Sequence, residues 1–407
     1  MRESLFDRLR IRSSVRCGYL LLALGGASVA TAAEWSGYLG AEVRAYEESP
    51  EHVGQDNGGL ATIVFEPEFY AEWEDGYQSI EFSPYFRWDS QDDERSLIDI
   101  RELSYLKVAG DWEFRVGISK VFWGVAESQH LVDVVNQTDL VASLDGEEKL
   151  GQAMVQVVNI SRWGDFSLFV LPGFRERTFP GEEGRLRGGI VVDSDRSLYE
   201  SGEGKDHVDV ALRWFKILGD FDVGVHYFRG TRRDPLFELQ VDGGETSLVP
   251  YYEQMDQLGL DLQYTKEGWL LKLEAIARDA SSEDYSAAVA GFEYTFYGIF
   301  GSSIDAGLLV EGHLDERGED ATTSFNNDIF VGTRLGWNDE ADTSLVAGVF
   351  RDWKNDSMVG LVEFERRLRG SMKLEIEVQK MGSIDPQDAL YPVRRDSYAQ
   401  IGLKRHF

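Results

Sequence analysis

The chain of 407 residues carries 72 acidic and 41 basic residues, a net charge of −31. That excess of acid argues against a nucleic-acid partner, whose phosphates call for Lys and Arg, and a lone cysteine rules out a disulfide framework. Beyond residue 32 no apolar run reaches the length of a membrane helix, so a bilayer could be crossed only by alternating strands closed into a barrel.

The first 32 residues read as a secretory leader. Arg2, Arg8, Arg10, Arg12 and Arg16 precede an apolar or small stretch, Gly18 to Val29, and Ala30-Thr31-Ala32 offers a small-residue cleavage site. The apolar run is too short for a membrane anchor. Cleavage after Ala32 would leave 36 basic and 70 acidic residues, a net charge of −34, and would remove Cys17, the only thiol.

Period-two alternation then dominates. The first strand is expected over 35–46, with Leu39, Ala41 and Val43 against Tyr38, Glu42 and Arg44. The second, near 60–73, sets Ile63, Phe65, Phe69 and Trp73 against Glu66, Glu68 and Glu72, and a tight turn at Glu74-Asp75-Gly76-Tyr77 leads to the third. The strand near 97–108 loses its phase at Arg101-Glu102, the mark of a bulge. After 112–121 comes an unusual stretch, 122–151, then strands at 152–163 and 165–172 and a second long insertion, 173–206, rich in Gly, Arg and acid. Strands follow near 208–214 and 221–227, then a loop through Asp242-Gly243-Gly244, a pair at 255–264 and 269–279, and six more strands between 284 and 381. Tyr398 to Phe407 closes the series: about 18 strands, or 16 if one pair merges.

Two regularities favour a membrane barrel over an acidic secreted β-protein. Long and short connections alternate almost throughout, which would place long loops outside the cell and tight turns inside. Trp35, Trp73, Trp88, Trp112, Trp163, Trp214, Trp269 and Trp337 fall at strand ends, where indole rings favour a bilayer interface. The fold expected is all-β: a transmembrane antiparallel up-and-down barrel over 33–407.

The terminal strand puts Ala399, Ile401, Leu403 and Phe407 on one side and Tyr398, Gln400, Gly402 and Lys404 on the other, with Arg405 breaking the apolar face. It resembles the closing strand of bacterial outer-membrane barrels, a likeness that makes Phe407 an assembly signal. Two internal blocks, FWGVAES at 122–128 followed by LVDVVNQTDL at 131–140, and LPGFRERTFPG at 171–181, resemble segments of uncharacterised porin-like outer-membrane proteins of Gram-negative proteobacteria. The resemblance implies a barrel and transport across the outer membrane, with no assigned catalytic residues.

The 122–151 stretch is too apolar for an external loop: Phe122, Trp123, Leu131, Val132, Val134 and Val135 would form a sticky patch. Folded into the barrel mouth, it would narrow a pore, with Trp123, Glu127, His130, Asp133 and Asp139, and Arg175 and Arg177 from the next insertion, at the constriction. Packing on the rim or on a neighbouring subunit is the competing reading. The polar strand faces put Arg87, Arg115, Arg213, Glu274, Arg278 and Arg334 among the lumen-facing residues, where they would filter charge or simply neutralise one another. The six histidines lack metal-ligand spacing, and no nucleophile elbow is present, so neither metal nor enzyme chemistry is indicated.

These residues describe a channel, without cofactor, for passive diffusion of small hydrophilic or amphiphilic solutes. Its partners would be outer-membrane lipid, lipopolysaccharide and the barrel-assembly machinery; an oligomer is open, as is divalent-ion binding by the acidic loops at 89–94 and 315–320. The alternatives are a conduit for polymer export or envelope lipid, and a barrel whose outer loops bind or adhere.

Overall fold

A computed structural model describes residues 32–143 and 146–407, so the expected leader, apart from Ala32, lies outside the described residues. The strands in chain order are β1 (Ala32–Tyr46), β2 (Leu60–Trp73), β3 (Gln78–Asp89), β4 (Leu97–Ala109), β5 (Trp112–Ser119), β6 (Gln152–Ser161), β7 (Gly164–Pro172), β8 (Leu198–Tyr199), β9 (Val208–Leu218), β10 (Phe221–Thr231) and β11 (Leu236–Asp242). They continue with β12 (Glu245–Tyr252), β13 (Gln254–Lys266), β14 (Trp269–Ala280), β15 (Asp284–Phe296), β16 (Asp305–Asp315), β17 (Asp328–Gly336), β18 (Ser344–Asp352), β19 (Met358–Arg367), β20 (Met372–Met381) and β21 (Tyr398–His406). All but β8, β11 and β12 form one antiparallel sheet of 18 strands.

Each strand pairs with the next, and β1 pairs with β21 from Tyr38↔His406 to Tyr46↔Tyr398, so the sheet closes and leaves no edge. The Phe407 N–H donates to the carbonyl of Gly37 (3.1 Å), and its ring stacks on Phe65 (6.2 Å between centroids), sealing the seam at its very end.

The residue pattern is inverted relative to a soluble sheet. Leu39, Val43, Ile63, Phe86, Val116, Leu258, Leu271, Val331 and Leu403 are exposed, while Arg44, Thr62, Arg87, Gln257, Asp261, Glu274 and Glu311 are buried. An apolar belt around a closed ring, with polar side chains inside, is the signature of a membrane-spanning barrel of the outer-membrane type, since lipid tolerates neither open edges nor exposed charge. Trp35, Trp73, Trp112, Trp163, Trp214, Trp269 and Trp337 all lie toward the short-turn end, and only Trp88 and Trp353 toward the other. The indole girdle is therefore weighted toward one rim.

The bulge is where the pattern slipped. Ser83 pairs with Glu102 and Pro84 with Ile100, so Arg101 is the extra residue. Pro84 has no N–H to give the ladder, which explains why the interruption sits there. Arg101 and Glu102 consequently both reach inward: Arg101 is 3.6 Å from Asp139, and Glu102 accepts the Lys120 N–H at 2.8 Å.

Three connections depart from the simple picture. The segment around Asp242-Gly243-Gly244 is a hairpin, β11–β12, outside the ring, and β8 joins it in parallel to make a three-stranded sheet. The alternation of loop lengths breaks at 281–283, shorter than the opposite-side connection at 297–304. Asp92, in the acidic loop at 89–94, is buried and accepts the N–H groups of Gly181 (3.1 Å) and Glu94 (3.0 Å), because the 173–206 insertion folds down on it.

Candidate functional site

Of the segment between β5 and β6, the described residues 120–143 and 146–151 enter the lumen. The inner wall there is apolar: Met154, Phe169, Leu171, Ala211, Phe228, Met255, Ile276 and Ala287 form a patch from β6 to β15, on which Trp123, Val132, Val134 and Val135 of the segment pack. Fully burying such side chains stabilises by roughly 1.5–3 kcal/mol each. The Trp123 ring meets Phe169 edge-on (5.6 Å) and His226 (4.8 Å), with the Arg213 guanidinium 5.0 Å from its centroid. Arg213 in turn forms a bidentate pair with Asp261 (2.6 and 2.8 Å). That pair passes over Gly224, where any Cβ would come within 2.3 Å of the carboxylate.

Two wall carboxylates take the backbone of the segment. Glu274, fully buried on β14, accepts the N–H groups of Val125 (2.6 Å), Ala126 (2.8 Å) and Val132 (3.2 Å). Glu311, on β16, accepts those of Glu127 (2.9 Å) and Ser128 (2.9 Å). Hydrogen bonds to a charged group contribute about 1.5–3 kcal/mol each, so these five outweigh the ordering cost of a few loop residues. Within the segment Asp133 accepts the N–H groups of Trp123 (2.6 Å) and Gly124 (3.0 Å).

The opposite wall holds the segment through arginines. Asp139, with no exposed surface, pairs with Arg87 of β3 (2.9 Å) and receives the Thr178 hydroxyl (3.0 Å). Arg95 and Arg44 donate to the carbonyl of Ala142 (3.0 and 3.3 Å). On the β9–β10 side, that of the apolar patch, Arg233 donates to the carbonyls of Val134 (3.1 Å) and Val135 (3.0 Å) while pairing with Asp209 (2.7 Å). The segment thus crosses the bore from β1–β4 to β14–β17.

The acids expected to face the bore separate into two kinds. Asp133 and Asp139 are buried and hold the segment's shape; Glu127 keeps a side chain 27% exposed, between Lys272 (3.3 Å) and Arg334, whose Nε is 3.6 Å from Glu293. Burial raises the Glu127 carboxyl, but the Arg334 and Lys272 cations overcome it and hold it below the usual range. For His130 burial opposes the charge, yet the Glu147 hydrogen bond (2.6 Å) and nearby Glu274 outweigh it, and the imidazole is pushed up to about 10.

The second insertion locks onto the first. Arg175 reaches Asp99 (2.6 Å) and the carbonyl of Gly151 (2.8 Å). The Arg177 N–H donates to the Tyr252 hydroxyl (3.0 Å), and its side chain lines a cavity above the segment. Arg278 is held by Gln257 (2.8 Å) and Asp234 (2.8 Å), and Arg115 is half-buried on β5 between Leu106 and Gln156.

Glu311, His313, Lys272, Arg233 and Arg101 join this site without having stood out in the sequence. Single charges at inward strand positions look alike until a loop selects among them. Ser128 brings its hydroxyl to His313 Nε2 (2.8 Å) and also to Glu311. The neighbouring N–H groups, which an oxyanion would need, are already on Glu311, so the trio anchors a loop and lacks the layout of an acyl-transfer site. No group of three or more His, Cys, Asp or Glu side chains is placed to hold a metal ion among the described residues.

No family model matches the chain, and no curated protein matches its sequence. Among solved structures it is similar to a multiple mutant of Rh. blastica porin, at 12% identity over 92% of this chain and 100% of that one, with a TM-score of 0.45. A second mutant of the same porin gives 12% identity, the same coverages and 0.46. OmpT, an outer membrane protein of Vibrio cholerae in its trimer form, gives 11% identity over 92% of this chain and 99% of that one, with a TM-score of 0.44.

Proposed function

We propose that the protein is an outer-membrane channel for passive diffusion of small hydrophilic or amphiphilic solutes, with its bore narrowed by residues 120–151. The observation that carries this reading is the segment itself, held across the lumen of a lipid-facing barrel by buried wall carboxylates and arginines. A barrel that only displayed outer loops would need no such internal crossing. Long structured loops of this kind are functional more often than not.

A polar path is left along β17 to β21. Inward side chains there stay partly exposed: Arg334 at 40%, Lys373 at 32%, Glu365 at 46% and Glu375 at 23%. Glu363 faces Glu377 and Glu365 faces Glu375 directly across the β19–β20 ladder, an arrangement that destabilises neighbouring strands unless cations or water intervene. Lys373 lies within 2.9 Å of Glu365 and 3.2 Å of Glu375. This wall is net acidic, and in a low-dielectric tube it favours small cations among simple ions.

On this reading lipid and lipopolysaccharide surround the belt, and the assembly machinery takes the strand ending in Phe407. Planar-bilayer recording of the purified protein in a salt gradient tests it. Stepwise ohmic conductance with a cation-selective reversal potential is the expected result; a folded, inserted protein that passes no current overturns the channel.

A further inference from the structure

Above the crossing segment lies a half-open cavity of about 190 Å³, lined by residues of 128–140 with Gly146 and Lys149, the wall of β14 to β16, Arg233 and Asp234 beyond β10, and residues of 317–325. It is large enough for a ring, since an apolar cavity on the order of 150 Å³ admits benzene. One side is apolar, formed by Leu131, Ile276, Ala287 and Phe325. The other is cationic.

Of the basic side chains lining it, all but one have a carboxylate: Arg233 has Asp209 (2.7 Å), Arg278 has Asp234 (2.8 Å), Arg317 has Asp315 (2.7 Å), Lys149 has Asp133 (3.6 Å) and His130 has Glu147 (2.6 Å). Arg177 has none within ion-pair distance among the described residues, Asp234 acting on it only from farther off, and its Nε is buried without a hydrogen-bond partner. Asp234, which also lines the cavity, is already engaged by Arg232 (2.8 Å) and Arg278 (2.8 Å). A half-buried guanidinium whose nearest carboxylate, Asp234, is shared with two other arginines is short of counter-charge, and an anion entering beside it supplies that charge.

We infer that this cavity is a binding subsite for a small amphiphilic anion, its carboxylate on Arg177 and its apolar body against Ile276, Ala287 and Phe325. The inference deepens the channel reading, on which it rests for the cavity's place at the mouth of the path. Because the wall below is acidic, an anion held here leaves slowly and obstructs current instead of flowing freely. A cation of the same shape meets Arg177 with like charge, so the site discriminates by sign as well as by size.

The test uses the full-length protein folded in a zwitterionic detergent, with benzoate as probe and benzylamine as its cationic counterpart. Isothermal titration should show saturable binding of benzoate and none of benzylamine. Arg177→Gln should weaken benzoate by about tenfold or more, the scale of one charge-assisted hydrogen bond, and Arg177→Lys should lose less. Absence of saturable benzoate binding, equal binding of benzylamine, or unchanged affinity in folded Arg177→Gln overturns the proposal. If the variant does not fold, the comparison of the two probes on the unaltered protein decides. Conductance in plain potassium chloride is scored separately: current without benzoate binding removes the subsite and leaves the channel, while binding without current does the reverse.

Discussion

Arg87 of β3 and Asp139 of the crossing segment meet at 2.9 Å with side chains 2% and 0% exposed, so a charged pair is sealed inside the barrel mouth. Breaking such a pair by removing one partner costs about 3–5 kcal/mol, because the survivor is left buried and uncompensated. Asp139→Ala should therefore lower the unfolding midpoint in denaturant and admit protease to the segment. Replacing both residues, as Arg87→Met with Asp139→Leu, should recover much of the loss. A double-mutant cycle with no coupling between the two positions would contradict the assignment.

Glu274 is the sharper case, since its carboxylate serves only as an acceptor. Glu274→Gln keeps the size but turns an NH2 group toward the N–H groups of Val125, Ala126 or Val132. We expect at least one orphaned N–H, a cost of about 1–3 kcal/mol. It should be seen as faster open-channel current fluctuation in lipid bilayers. Combining it with Glu311→Gln should exceed either change alone, because the two carboxylates hold consecutive stretches of the same segment. Quiet, unaltered currents in the double variant would show that these bonds do not hold the segment.

Charge on the open wall should set ion preference. Glu365→Gln with Glu375→Gln removes two facing carboxylates and should shift the reversal potential in a salt gradient toward anions. Asp92→Asn should act differently: it loosens a buried contact with Gly181 and should cost stability, with little effect on selectivity. A selectivity change from Asp92→Asn equal to that of the wall pair would argue against a path along β19–β20.

His130 supplies a pH dependence whose sign is fixed by its raised pKa. Its usual value is 6.5 and in the folded chain it is pushed up to about 10. Its contribution to stability is then complete below the usual value and is lost as pH rises through the folded one. The stability difference between the unaltered protein and His130→Gln should be at its full size up to about pH 6.5 and shrink from there toward pH 10. A difference that instead vanishes on acidification would reverse the assignment.

Much of the barrel was legible in the sequence, since alternation, tight turns and a closing strand are local. The inverted pattern follows directly from Ile63, Phe65 and Phe69 facing one way and Glu66, Glu68 and Glu72 the other. The apolar content of 122–135 likewise told that the segment must be covered. What stayed hidden were long-range choices. Glu274 and Glu311 look like any other inward acids until Val125 and Ser128 arrive beside them, from positions far away in the chain. Asp133 and Asp139 carry charges that suggest solvent, yet in the interior backbone N–H groups take Asp133 Oδ1, with Lys149 near its other oxygen, and Arg87 pairs with Asp139. The β11–β12 hairpin was missed because Gly243-Gly244 reads equally as a loop tip.

The most direct test is the single-channel conductance of a variant in which residues 124–148 are replaced by a short Gly-Ser linker. Heat-modifiable migration would first establish that its barrel is folded. If the segment narrows a diffusion path, that variant should conduct several-fold more than the unaltered protein, and Arg334→Gln should then change its selectivity less than it does with the segment in place. Equal conductance and equal selectivity in the two folded proteins would contradict the constriction and place residues 120–151 outside the path.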